Sequence, residues 1–450
     1  MPEPDGAAMT ETVLAPAAYA PELEAALAAD QPESLRKLRE RAFGEFVEHG
    51  FPTVAEEDWR FTNVAPVARL RFEAPAAARV AGTVPEVDAV RLPGAWEMVF
   101  VDGRFAPELS SSAPAPAGVE VVALAAASRD AWARIEPELG RRADIVGRPF
   151  AALSTALFRD GAALLVARGA EVATPIHLIF HVSGAERPLA VFPRLLIVAG
   201  ERSSATVVES YVGRAGASYL VAPVTELIAG ESARVDHYKL QRDSHEAFHL
   251  GLFHLETARS AEVSTQSFSL GARIARHDVR AVLAGEGSEV TLNGLYLVRD
   301  RQLADFHMRV DHAKPHTTSH ELFKGVLDDR ARGVFNGRIH VHPQAQKTDA
   351  KQTSRNLLLS REALVNANPQ LEIFADDVKC THGSTVGQLD ELAVFYLRSR
   401  GIGLEAARSL LTYAFAADLI ERTRVEPLRQ ALQEYLLGWI PQGEVVREAV

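Results

Sequence analysis

The sequence is almost without cysteine: among 450 residues, Cys380 is the single thiol. No intrachain disulfide can form, which excludes a disulfide scaffold. One thiolate also cannot supply the four that an ordinary iron–sulfur cluster takes, so any cluster held here needs other ligand types or a partner's. A lone thiol fits a reducing compartment better than a secreted one. A run of the roughly 18–20 apolar residues that span a bilayer is missing as well. The most apolar stretch, residues 189–200, is broken by Arg194. The acidic opening MPEPDGAAMTETVLAP has no apolar core of a signal peptide. These absences together predict a soluble, cytoplasmic protein with no membrane partner. Excess positive charge is lacking too. At a net charge of −11, the chain has no overall means of neutralising phosphates, which argues against general nucleic-acid binding. Neither a G-x-x-x-x-G-K-[ST] phosphate loop nor a G-x-G-x-x-G fingerprint occurs, so no nucleotide is expected on this chain.

What is present is ordinary for a globular protein: 47% hydrophobic and 24% charged residues. The length suggests two or three domains. The first ten to fifteen residues have the composition of a flexible tail. Leu35, Leu38, Ala42, Phe46 and Val47 recur at helical spacing, with Gly50 and Pro52 as a stop. A second helical pattern covers 129–142, and 110–118 reads as a loop.

From about residue 160 to 380 the pattern changes to short alternating segments punctuated by Gly, Asp, Asn and Ser. Examples are 205–212, 219–228, 233–240, 261–270, 289–298 and 338–342. A sandwich, a barrel or a parallel β-helix can each produce this, and no strict period chooses among them. Helical periodicity returns after Gly387. Leu404, Ala407, Leu411, Ala414 and Phe415 mark one helix; Val425, Leu428, Leu432, Tyr435 and Trp439 mark the next. The 404–420 helix is apolar over much of its circumference, so it is either enclosed or offers a face to a partner.

Several clusters have metal-ligand character. His245-Glu246-Ala247-Phe248-His249 matches H-E-x-x-H, but strand-like sequence surrounds it where a zinc protease needs a helix, and it reads as a chance match. His312, His316 and His320 are four apart, with Glu321 beside them, yet Pro315 interrupts any helix that would align them. His340 and His342 are two apart and so share a strand face. So do Cys380 and His382, with Gly383 leaving room beside them. For this last pair, metal binding, nucleophilic catalysis and a structural role all remain open. A neighbouring imidazole can favour a thiolate and adds a second ligand type.

A longer pattern joins these pieces. VTLNGLYL, HTTSHELFKGVL, FNGRIHVHPQAQKTDAKQTSRNLLLS, NPQLEIFADDVKCTHGSTVGQLD and FYLRSRGI follow one another from Val290 to Ile402. With the weaker EEDWRFTNV at Glu56–Val64, the chain closely resembles the SufB/SufD family of iron–sulfur cluster assembly scaffolds. The CTHG element and the single cysteine favour its SufD branch.

The resemblance implies a mainly β fold, with a right-handed parallel β-helix over residues 156–382. Flanking it would be a helix-rich N-terminal domain with a few strands at 1–155 and a C-terminal helical domain at 383–450. It implies a non-enzymatic scaffold. Its implied partners are a SufB-like paralogue, met through the β-helix, and a SufC-like ATPase, met through the C-terminal helices at Leu404, Ala407, Leu411 and Phe415. An isolated chain could form a homodimer. The implied cargo is iron or a nascent iron–sulfur cluster held transiently at the partner interface. His382 matches a histidine implicated there, and Cys380 the cysteine beside it. No catalytic role is carried onto His340 or His342. Deleting 404–450 is expected to remove ATPase binding and spare the β core.

Overall fold

The computed structural model describes residues 15–29, 31–75 and 82–449; most of the segment read as a tail lies outside them. Two long sheets dominate, one of 10 strands and one of 11. Each is parallel through its body, and successive strands of the chain alternate between the sheets. That is a β-solenoid, mainly β with helical N- and C-terminal regions, as the resemblance implied. The first strand of one sheet, Trp96–Val101, comes from the N-terminal region and pairs in parallel with Ile176–Val182.

One rung of the 10-stranded sheet runs Ser204, Arg234, Glu262, Glu289, Thr318, Asp349, Lys379. Its members are 30, 28, 27, 29, 31 and 30 residues apart in the chain. This drift in coil length is why no strict period shows in the sequence. The corners leading into the first six of these strands turn through a left-handed residue two positions earlier: Arg202, Ser232, Ser260, Gly287, His316 and Lys347, with φ between 53° and 68°. Non-glycine residues are uncommon at positive φ. Here the same corner repeats in coil after coil, so the fold itself requires the turn.

The strand expectations need two adjustments. The segment 219–228 is two strands, Tyr219–Val221 and Val224–Ala229, separated at Pro223, which has no N–H to give a ladder. The segment 338–342 is the end of a longer strand, Arg332–Val341.

The core is layered. Inside the solenoid, Val207, Leu227, Val235, Leu255, Val263, Leu292, Phe306 and Phe335 pack together from both sheets. Rings line the interior at centroid spacings of 4.9–5.3 Å, in the order Phe100, Phe180, Tyr211, His249, His277, Phe306, Phe323, Phe335. This spacing is close to the 4.7–4.9 Å between neighbouring strands, so His249, His277 and Phe306, on adjacent strands of one sheet, continue the column from coil to coil.

The outer faces are apolar too and need covers. The N-terminal helices Glu33–His49 and Pro149–Leu157 lie over the 11-stranded sheet, where Phe46, Phe150 and Leu153 join Leu196, Phe248 and Leu250. In the EEDWRFTNV segment, Trp59 is buried beneath the Arg276 guanidinium at 3.8 Å, and Thr62 donates to Asp305 at 2.6 Å. The C-terminal helices Leu404–Ile420 and Glu426–Trp439 cover the 10-stranded sheet. Leu419, Ile420, Leu428, Leu432 and Leu436 bury against Tyr238, Leu240, Phe268, Leu295 and Val326. Deleting 404–450 therefore cannot spare the β core: it strips an apolar sheet face of its cover. The expectation drawn from the sequence is corrected on that point.

Candidate functional site

The solenoid ends abruptly. Lys379–Gly387 is the last strand of one sheet and Leu364–Ile373 the last of the other. Each is paired on one side, and among the described residues no strand lies beyond either. Long unpaired edges present a row of free N–H and C=O groups that folded proteins normally cover. Leu364, Ile373, Phe374 and Val386 are exposed around this end.

Cys380 and His382 both lie on the terminal strand, where their rung partners are Ala350 and Gln352. In-register parallel strands keep side chains of one rung on one face. Ala350 is buried in a small end cluster with Ile339, Val341, Ala345 and Ala375, and Cys380 packs against it half-buried. Gln352 is buried and donates to Glu321 Oε2 at 2.8 Å. Glu321, Gln352 and His382 thus form one rung through three strands, of which His382 is the exposed member at the solenoid's mouth. The Oε1 atoms of Glu321 and Gln352 are buried without a partner. Burial pushes the Glu321 carboxyl up to about 8, against the lowering effect of the Gln352 hydrogen bond.

The Cys–His spacing does place thiol and imidazole on one face. It does not activate the thiol. Burial pushes the Cys380 thiol up, the Ala350 amide opposes this, and Asp349 adds to the rise. A thiol held protonated is a poor nucleophile. Among the described residues, no other side chain hydrogen-bonds to Cys380 or His382, so the orienting group of a catalytic pair is missing.

The other candidates separate. His245 lies in a turn and His249 on the strand Phe248–Thr257, bonded to Asp243 at 2.9 Å. Burial, and then Lys239, push His249 down to about 4. This is an interior histidine far from zinc-protease geometry. His312 is buried with both ring nitrogens in contact with hydroxyls, Thr317 at 2.8 Å and Ser319 at 3.0 Å. His316 is a left-handed corner and His320 points to solvent, so the three do not converge. His340 and His342 do meet, and with a residue the sequence did not single out. Donor atoms of Asp311, His340 and His342 lie within 4.8 Å of one another.

Of the four apolar residues marked for a partner, Leu404 is exposed, Leu411 and Phe415 are half-buried, and Ala407 is enclosed within the chain. Ala407 is therefore corrected to a packing residue. The exposed apolar face lies one helix earlier, on Glu391–Ser399, where Leu392 is 77% exposed, Phe395 69% and Tyr396 56%. Nine residues are too short a window for a helical stripe to stand out in the sequence.

The described residues thus form a β-solenoid that is open at its last coil, with one thiol and one imidazole on the terminal strand. Its relatives give the family. Residues 180–415 match the SufBD core domain of the SUF system for FeS cluster assembly, and residues 19–178 the SufBD N-terminal region. The chain is 33% identical over 400 residues to the iron–sulfur cluster assembly protein SufD of Escherichia coli, covering 88% of this chain and 90% of that one. It is also 33% identical over 397 residues to an iron–sulfur cluster assembly SufBD family protein of Synechocystis, covering 85% and 86%. SufD of Bacillus subtilis is 31% identical over 289 residues, 62% of this chain and 64% of that one. The chain belongs to the SufB/SufD family of iron–sulfur cluster assembly proteins.

Proposed function

We propose that this chain is a SufD-type scaffold subunit that works without turnover of its own, in the cytoplasm. Its open solenoid end pairs with a SufB-like paralogue, and its C-terminal helices receive a SufC-like ATPase. His382, with Cys380 beside it, supplies part of a site for iron or a nascent cluster whose other ligands come from the partner. The observation that carries this reading is the position of His382: exposed, on a strand whose outer edge is unpaired. A partner strand laid along that edge would bring its own side chains within one strand spacing of the imidazole. One imidazole and partner thiolates suit iron on its way into a cluster. In the partner's absence the same edge can take a second copy of this chain. The rival use, a β-helix enzyme with Cys380 as nucleophile, is disfavoured by the upward shift of the thiol.

The test is His382→Ala in the reconstituted complex. Folding and partner assembly should be unchanged while the yield of assembled cluster falls. An unchanged cluster yield would take His382 out of the mechanism.

A further inference from the structure

We propose that Asp311, His340 and His342 form a second metal site, within this chain alone, for a first-row divalent transition cation such as Fe²⁺, Co²⁺, Ni²⁺ or Zn²⁺. Nothing in it depends on a partner subunit, and it is distinct from the terminal-strand site at His382.

The solenoid register assembles it. Asp311, His340 and Glu372 are rung partners on the consecutive strands Leu303–His312, Arg332–Val341 and Leu364–Ile373. His342 follows just past the end of the middle strand. The imidazole of His340 therefore stands between two carboxylates. Its Nδ1 meets Glu372 Oε2 at 2.9 Å. A proton held there on Nδ1 leaves Nε2 as a free lone pair, which is the carboxylate–histidine arrangement that orients a ligand toward a metal. The rings of His340 and His342 cross edge-to-face with centroids 4.5 Å apart, and Phe374 packs on His340 at 5.3 Å, limiting its rotation. His342 Nε2 lies 4.0 Å from Asp311 Oδ1.

The donor set fits the cation class. Two imidazoles and one carboxylate suit first-row divalent ions and leave positions open for water or a further ligand. Two ligands, each about 2.1 Å from one ion, stand at most about 4.2 Å apart. The separation of up to 4.8 Å among the donors thus needs a small closure. His342 can supply it, because its side chain is about one-third exposed at the strand end. Asp311 is held by Arg309, whose Nε and Nη2 donate to it at 2.9–3.1 Å. A carboxylate offers about four lone-pair sites, so acceptors remain for a cation while the guanidinium fixes the orientation.

Cobalt(II) alone, titrated into the purified full-length chain, tests this through calorimetry and the visible d–d bands of the bound ion. One equivalent should bind with bands characteristic of nitrogen and oxygen ligation. His342→Gln should weaken that binding by more than the roughly 10–100-fold expected when an outer carboxylate is lost, and Glu372→Gln by about that range. His382→Ala should leave it unchanged. Melting curves matching wild type would show that His342→Gln is folded. Coincident titrations for wild type and folded His342→Gln, whether both bind or neither does, overturn the proposal. So does loss of the tight equivalent in His382→Ala with retention in His342→Gln. Because partner and cluster are absent from this assay, its failure is separate from any failure of the His382 reading.

Discussion

Gln352 donates to the buried carboxyl of Glu321 at 2.8 Å, and the rung they share ends at His382. Burial raises the Glu321 pKa from about 4.5 to about 8. The folded protein therefore keeps a proton there that the unfolded chain releases above about pH 4.5. By linkage, this contribution to stability is fully present below the unfolded value and is lost as pH rises through the folded one. The urea midpoint should fall between pH 5 and pH 9, and Glu321→Gln, neutral at every pH, should flatten that fall. Parallel profiles for the two proteins would show that Glu321 does not titrate in this window.

Arg194 and Glu226 form a second buried pair, with neither side chain exposed. Glu226 also accepts from the backbone N–H of Gly140 at 2.8 Å and of Ala143 at 3.0 Å, fastening the N-terminal region to the outer face of the sheet. Burial by itself would raise the Glu226 carboxyl, but the Arg194 charge and these two amides outweigh it and hold it low. Glu226→Ala leaves a buried guanidinium without its counter-charge, which typically costs about 3–5 kcal/mol. Chemical denaturation should show a loss of that order. The stability Glu226 gives is present above the unfolded carboxylate range and lost as pH falls through its depressed folded value, so the variant should lose part of the acid sensitivity of wild type. A loss below about 1 kcal/mol, the ordinary worth of an exposed pair, would contradict the burial.

Features that depend on local periodicity were legible before the structure was known. The helix at 404–420 carries its 3.6-residue stripe, and the strand at 289–298 its alternation, so both fall where the pattern puts them. Cys380 and His382 share a face because strands repeat every two residues. The Asp311–His340–Glu372 rung was not legible. Its members are 29 and 32 residues apart in the chain, and the coil length that brings them together varies from turn to turn. Once one rung is known, the rest follows by stepping strand to strand. Ala407 was misplaced for another reason. A helix apolar on most sides does not reveal which side the chain itself covers, and here the face bearing Ala407 is enclosed.

That misplacement changes how the ATPase-docking reading is best tested. Lys324 donates to Asp418 at 2.5 Å and to the Phe415 carbonyl at 2.9 Å, and Tyr435 donates to the Leu270 carbonyl at 2.8 Å. The C-terminal helices are thus bound into the solenoid by polar contacts as well as by burial. A truncation at 404 confuses lost docking with lost stability. Leu392→Asp with Phe395→Asp separates them, since both side chains are more than two-thirds exposed. Surface changes of this kind usually shift stability by no more than about 0.5 kcal/mol. A charge placed in an apolar docking face, by contrast, is left desolvated and unpaired when a partner closes over it. The double variant should melt with wild type and fail to retain the ATPase in co-purification. Retention at the wild-type level would move the docking surface off this helix, to the half-buried side chains of Leu411 and Phe415 or away from the C-terminal region altogether.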